Sequence, residues 1–133
     1  MARILFADDD REQLHIFQLL LEPAGHELLL AADVGEVAAH LERGPVDLLI
    51  VDLRFPCSAD GLALIRRIRE SGCRTPIIVL SGWPDEICEV PEERMVSRVM
   101  MKPVRVPELL EAIADLTSAA ASARAQNLPS ASP

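Results

Sequence analysis

The stretch Ile4-Leu5-Phe6-Ala7-Asp8-Asp9-Asp10 decides the reading, because four apolar residues stop abruptly at three carboxylates. An apolar run of strand length with no alternating polar side fits a strand buried on both faces, and such strands belong to parallel sheets covered by helices. Working outward, four more runs of this kind follow: Leu28 to Ala32, Leu48 to Val51, Ile77 to Leu80 and Val99 to Met101. Between them the apolar residues recur at helical spacing, as Leu14, Phe17 and Leu21, then Val34, Val37 and Leu41, then Leu62, Ile65 and Ile68, and finally Leu109, Ile113 and Leu116. Asp10 with Gln13, and Asp33 with Glu36, each place a capping carboxylate three residues before a side chain able to reach back. Repeated strand and helix predict an α/β protein with a parallel sheet between two helical layers.

Two segments depart from that rhythm. Pro84 to Arg94 carries Pro91 and little apolar periodicity, so the fourth helix is expected to be short, kinked or partly loop. Thr117 to Pro133 is Ala- and Ser-rich, and lacks the apolar residues needed to bury a face. The expected division is therefore a domain over residues 1–116 and a tail over 117–133, either a helix extension or disordered.

Composition narrows the function classes. In a chain of 133 residues, 50% are hydrophobic and 26% charged, which is enough for a single core. With 21 acidic against 13 basic residues the net charge is -8, so binding to nucleic acid or to an anionic membrane would oppose the chain's own field. No apolar run approaches the ~18 residues of a membrane span, and no signal-peptide pattern opens the chain, so the expected location is the cytosol. The three cysteines, Cys57, Cys73 and Cys88, are odd in number and widely spaced, which fits reduced thiols rather than disulfides or a zinc site. His15, His26 and His40 fall on different elements and receive no role.

The chemistry follows from what ends each apolar run: Asp8, Asp9 and Asp10 after the first, Asp52 at the third, Ser81 after the fourth and Lys102 after the fifth. In a parallel sheet these positions share one edge, where open α/β sheets bind ligands. Two carboxylates ~4 Å apart repel by about 4 kcal/mol at an effective dielectric of about 20, so a cleft holding several needs positive charge. Lys102 supplies one, and hard carboxylate oxygens suit Mg2+, which keeps waters and shares a phosphate ligand. Metal, ammonium and the Ser81 hydroxyl together fit phosphoryl transfer, with Asp52 as the carboxylate that becomes an acyl phosphate.

This set resembles the receiver domain of two-component response regulators over about Arg3 to Leu116. The motifs that carry the resemblance are Asp8-Asp9, Asp52 within Ile50-Val51-Asp52-Leu53, Phe55-Pro56 followed by Asp60-Gly61, Leu80-Ser81-Gly82, and Lys102-Pro103. The resemblance implies a flavodoxin-like, doubly wound five-stranded sheet in the order 2-1-3-4-5. It implies Mg2+ held by Asp9, by Asp8 through water, by Asp52 and by the backbone carbonyl of Arg54. It also implies phosphorylation of Asp52 by a sensor histidine kinase or phosphotransfer protein, with Ser81 and Lys102 on the phosphoryl group and an open approach past Gly82. Lys102-Pro103 is then a cis peptide, and Arg54 and Trp83 occupy positions that tune phosphate lifetime. Such a chain catalyses only its own phosphorylation and slow dephosphorylation, and as a stand-alone receiver it acts through contact with a downstream protein or by passing phosphate on. Val99 stands where the family carries an aromatic residue, and the loop from Asp52 to Gly61 is one residue longer than in many members.

Taken singly, each residue has an ordinary reading: an acidic run as a helix cap, a serine in a loop, a lysine at the surface, and Asp60 as a cap of the third helix. Their joint order along one sheet edge is what singles them out. Two rivals stand beside the receiver. A haloacid-dehalogenase-type hydrolase would use Asp8 and Asp10, but leaves Asp52 without a task and lacks a further acidic pair outside a helix. A pseudo-receiver would bind a partner without phosphorylation.

Overall fold

The five strands are β1 (Arg3–Ala7), β2 (Glu27–Ala31), β3 (Leu48–Asp52), β4 (Ile77–Ser81) and β5 (Arg98–Met101), all parallel and ordered β2-β1-β3-β4-β5. They come from a computed structural model that describes residues 3–53, 58–82, 87 and 90–126. The helices are α1 (Arg11–Leu21), α2 (Val34–Arg43), α3 (Ser58–Glu70) and α4 (Val106–Gln126). Since β1 pairs with β2 on one side and β3 on the other, the strand order reverses at β1 and opens a crevice at the carboxyl ends of β1 and β3.

Each apolar run is uninterrupted because both faces of the sheet are covered. Ile4, Phe6, Leu48, Ile50, Ile78 and Leu80 pack against Leu14 and Leu21 of α1 and Leu109 and Ile113 of α4. The alternate residues Leu5, Ala7, Leu49, Val51, Ile77 and Val79 pack against Val37 of α2 and Leu64, Ile65 and Ile68 of α3. Alternation of side chains along a strand distributes one run between two cores.

Local chemistry sets the boundaries. Asp10 caps α1 by accepting from the Glu12 and Gln13 N–H groups, and Asp33 caps α2 by accepting from Glu36 N–H at 2.8 Å. The Glu36 carboxylate reaches back to the N–H of Ala32 at 2.8 Å, one residue earlier than a capping box requires, and this takes Ala32 out of the second strand. Asp60 lies inside the first turn of α3 rather than at its cap position. A Cβ on Gly61 would meet the Leu53 carbonyl oxygen at 2.0 Å, so only glycine lets α3 start this close to the end of β3.

Where a fourth helix was expected to be short or kinked, the described part is a 3-10 turn, Pro91–Met95, opened by Pro91, which loses nothing by lacking an N–H there. Two arginines of α3 fasten this turn. Arg66 pairs with buried Glu92 at 2.5 Å, and Arg69 donates to the carbonyls of Met95, Cys73 and Thr75. The final helix runs ten residues into the expected tail, from Thr117 to Gln126. Cys73 is a free thiol, while Cys57 and Cys88 lie outside the described residues. Among the described residues no helix is long and apolar enough to cross a membrane.

Candidate functional site

The carboxyl edge of the sheet assembles side chains from three separate strand ends. The ladder pairs Ala7 with Val51, which sets Asp8 beside Asp52 at the tips of β1 and β3. Ser81 pairs with Met101, and the next N–H, that of Lys102, donates to the Ser81 carbonyl at 2.9 Å. Residues separated by nearly the whole domain in sequence thus meet because parallel strands end together.

Asp8, Asp9, Asp52 and Lys102 line one open cavity of about 700 Å3. Asp52 is 6% exposed and Asp8 3% exposed, while Asp9 faces solvent. Lys102 donates to Asp52 Oδ2 at 2.5 Å, so this carboxylate already holds a cation. The N–H of Asp10 donates to Asp8 Oδ1 at 3.0 Å, and the N–H of Asp8 itself goes to the Ala31 carbonyl. Burial, reinforced by the charges of Asp52 and Asp9 and only partly offset by the Asp10 N–H and Lys102, pushes the Asp8 carboxyl up to about 6. The pocket therefore carries more negative charge than its lysine balances.

That imbalance is the test of whether these residues suit a divalent cation. Among the described residues, no group of three or more Asp, Glu, His or Cys side chains is placed to hold a metal ion. Hard oxygens around an open cavity fit Mg2+, which is bound through one or two carboxylates and keeps its other positions for water or phosphate. Asp8 and Asp9 could hold it, with Asp52 opposite.

Not every expected residue is on the cavity wall. Ser81 is 1% exposed at the end of β4 and lies behind the lining rather than in it. Among the described residues a Cβ on Gly82 would meet nothing within 4 Å. The Lys102-Pro103 peptide is cis, as the resemblance implied. Arg54 and Trp83, together with Phe55 and Pro56, lie outside the described residues. Conversely, Gln13 and Phe17 line the cavity from α1 and Val104 from the far side, none of them read as site residues in the sequence. Asp10, Gln13 and Phe17 stand at i, i+3 and i+7, one helix face, and that spacing was the available signal. Phe17 also stacks on core residue Phe6 with ring centroids 4.8 Å apart, joining the cavity wall to the interior.

Comparisons with known proteins show the family and the fold of the chain. The response regulator receiver domain family matches residues 4–114. The chain is 37% identical over 90 residues to the virulence transcriptional regulatory protein PhoP of Salmonella typhimurium, an alignment covering 65% of this chain and 40% of that one. The chain thus spans less than half the length of that curated relative. Among solved structures, it is similar to the signal receiver domain of an HD domain-containing protein from Pseudomonas fluorescens, with a TM-score of 0.83, 31% identity and coverage of 96% and 93% of the two chains. It is also similar to the response regulator TrrA of Thermotoga maritima, solved in complex with Mg(2+)-BeF, with a TM-score of 0.77, 25% identity and coverage of 87% and 99%.

Proposed function

We propose, since the chain belongs to the response regulator receiver domain family, that it takes a phosphoryl group from a histidine kinase or phosphotransfer protein onto Asp52. The family is a signalling module of two-component systems rather than a classical enzyme. One observation carries the reading: the Asp52 carboxylate, 6% exposed, is held by Lys102 in the same cavity as Asp8 and Asp9.

In the proposed reaction an Asp52 Oδ attacks phosphorus, the new P–O bond forms as the P–N bond to the donor imidazole breaks, and the imidazole leaves with the electron pair and takes a proton. Asp8 and Asp9 would hold Mg2+, which would offset charge on the phosphoryl oxygens. Lys102 moves from the acceptor carboxylate to a phosphoryl oxygen, which lowers repulsion between nucleophile and incoming anion. Low exposure of Asp52 restricts the water that would hydrolyse the product. Ser81 reaches the phosphoryl group only by leaving its buried position, so its contact belongs to the phosphorylated form. The output is contact with a downstream protein or transfer of the phosphate onward, without direct binding to nucleic acid or membrane.

The test is to incubate the chain with Mg2+ and a small phosphodonor and to follow the product by intact-mass and peptide-level mass spectrometry. One phosphate on Asp52, dependent on Mg2+ and lost in Asp52→Asn, supports the proposal. Rapid donor turnover through Asp8 would instead indicate the hydrolase, and absence of any adduct the phosphate-independent binding module.

A further inference from the structure

We propose that the crevice at the amino-terminal edge of β4 and β5, where Arg69, Arg74 and Arg94 meet Ser97, binds a small molecule bearing two or more phosphoryl charges. The crevice has a volume of about 450 Å3, and its lining is those four residues with Met95 and Val96. Among the described residues no carboxylate lines it. In a chain with 13 basic residues and a net charge of -8, three arginines around one small hollow invert the local sign of the field.

A donor inventory shows what these groups lack. Arg69 spends Nε on the Met95 carbonyl and Nη1 on those of Cys73 and Thr75, at 2.7–3.0 Å, which leaves Nη2 without a hydrogen bond among the described residues. Arg74 and Arg94 are exposed and make no ion pair or hydrogen bond among the described residues. Neighbouring Glu92 is committed to Arg66, and Arg98 is paired with Asp115. Ser97 Oγ accepts from the Ile77 N–H at 3.3 Å, so its own proton is directed elsewhere and adds another donor. Burial lowers the affinity of the Arg69 guanidinium for its proton; Cys73 acts in the opposite sense, and the charge of Arg74, the smallest of the three effects, lowers it further. The cations therefore repel one another.

The chemistry that satisfies such a set is specific. Guanidinium forks match phosphate oxygens in paired hydrogen bonds, and a single carboxylate engages one fork at a time. Several forks converging on a hollow of small-molecule size call for a compact polyanion rather than a long acidic chain. Met95 and Val96 give an apolar wall for the remainder of such a ligand. The strand length of β4, five residues at ~3.3 Å each, separates this crevice from the Asp52 cavity by roughly 15 Å, so the two sites can be filled independently.

Titration calorimetry with inorganic pyrophosphate, in EDTA and low chloride, tests the proposal on the full chain. A single saturable site is expected, with affinity lowered about tenfold or more in Arg74→Gln/Arg94→Gln, whose melting temperature stays at the wild-type value because neither side chain has a partner to lose among the described residues. Arg105→Gln, at an exposed arginine elsewhere, and Asp52→Asn should both bind like wild type. No saturable binding would overturn the proposal. So would binding that survives the double change, that falls as much in Arg105→Gln, or that disappears in Asp52→Asn.

Discussion

The two edges of the sheet solve opposite electrostatic problems with the same strands. At the carboxyl edge Asp8, Asp9 and Asp52 crowd around one lysine, and burial leaves the Asp8 carboxyl raised to about 6. At the amino edge Arg69 is spent on three backbone carbonyls, and Arg66 on a buried glutamate. Charge at the first edge is left undercompensated and available for chemistry, whereas most of the charge on α3 at the second is consumed in holding the chain together. Substitutions at the first edge should therefore damage reaction, and those of Arg66 and Arg69 at the second should damage stability.

The contrast can be broken most forcefully at Asp52. Asp52→Asn should abolish acceptance of phosphate altogether while leaving the urea midpoint near or above wild type, since it removes a charge from a crowded pocket. A labelled Asp52→Asn chain would dissolve the distinction. Lys102→Ala should slow phosphorylation by a small donor by about 100-fold at saturating Mg2+, comparable with losing one electrostatic donor from other transfer sites. A rate within threefold of wild type, by stopped-flow or quenched mass spectrometry, would count against a role for the Lys102–Asp52 contact.

Stability changes come next. Gly61→Ala ordinarily favours a helix, yet here the new Cβ would meet the Leu53 carbonyl oxygen, so we expect a loss of about 2–3 kcal/mol in urea unfolding. Arg69→Ala should cost about 1–2 kcal/mol by leaving three carbonyls without their donor, with the phosphorylation rate nearly unchanged. If Arg69→Ala slowed phosphorylation as much as Lys102→Ala, the two edges would not be separable.

The smallest effect is a pH dependence in the Mg2+-free protein. The folded value of Asp8, about 6, lies above the unfolded value of 3.8, so its contribution is fully present below about pH 4 and lost as pH rises through about 6. Stability should fall by about 1 kcal/mol between about pH 5 and about pH 7, and Asp8→Asn should remove that slope. A flat profile in the wild-type chain would mean the carboxylates are better solvated than their burial indicates.

Much of this was legible in the sequence because it depends on local periodicity. The five apolar runs appear as strands, the helix faces built on Leu14, Val37, Ile65 and Ile113 are buried, and the edge position of Asp8, Asp52 and Lys102 follows from where the runs end. What escaped depends on contacts between distant residues. Glu92 reads as a surface acid beside Pro91 until Arg66, 26 positions away, is placed against it. Gly61 reads as a weak helix residue until the Leu53 carbonyl is seen to occupy the space of its absent side chain. Ser81 is expected on the phosphoryl group, and how deeply it sits as the last ladder residue of β4, 1% exposed, is not visible in the sequence. Gln13 and Phe17 were masked by simpler roles, as cap partner and core residue.

The seat of Lys102 on Asp52 has a further consequence for how fast the reaction can proceed. Its ammonium stands at hydrogen-bond distance from a carboxylate oxygen of the proposed acceptor, so in the proposed transfer the cation need only slide from one anion to its successor. The medium around it has little reorientation left to perform, and the activation barrier is correspondingly spared the cost of gathering a fresh counterion from bulk water.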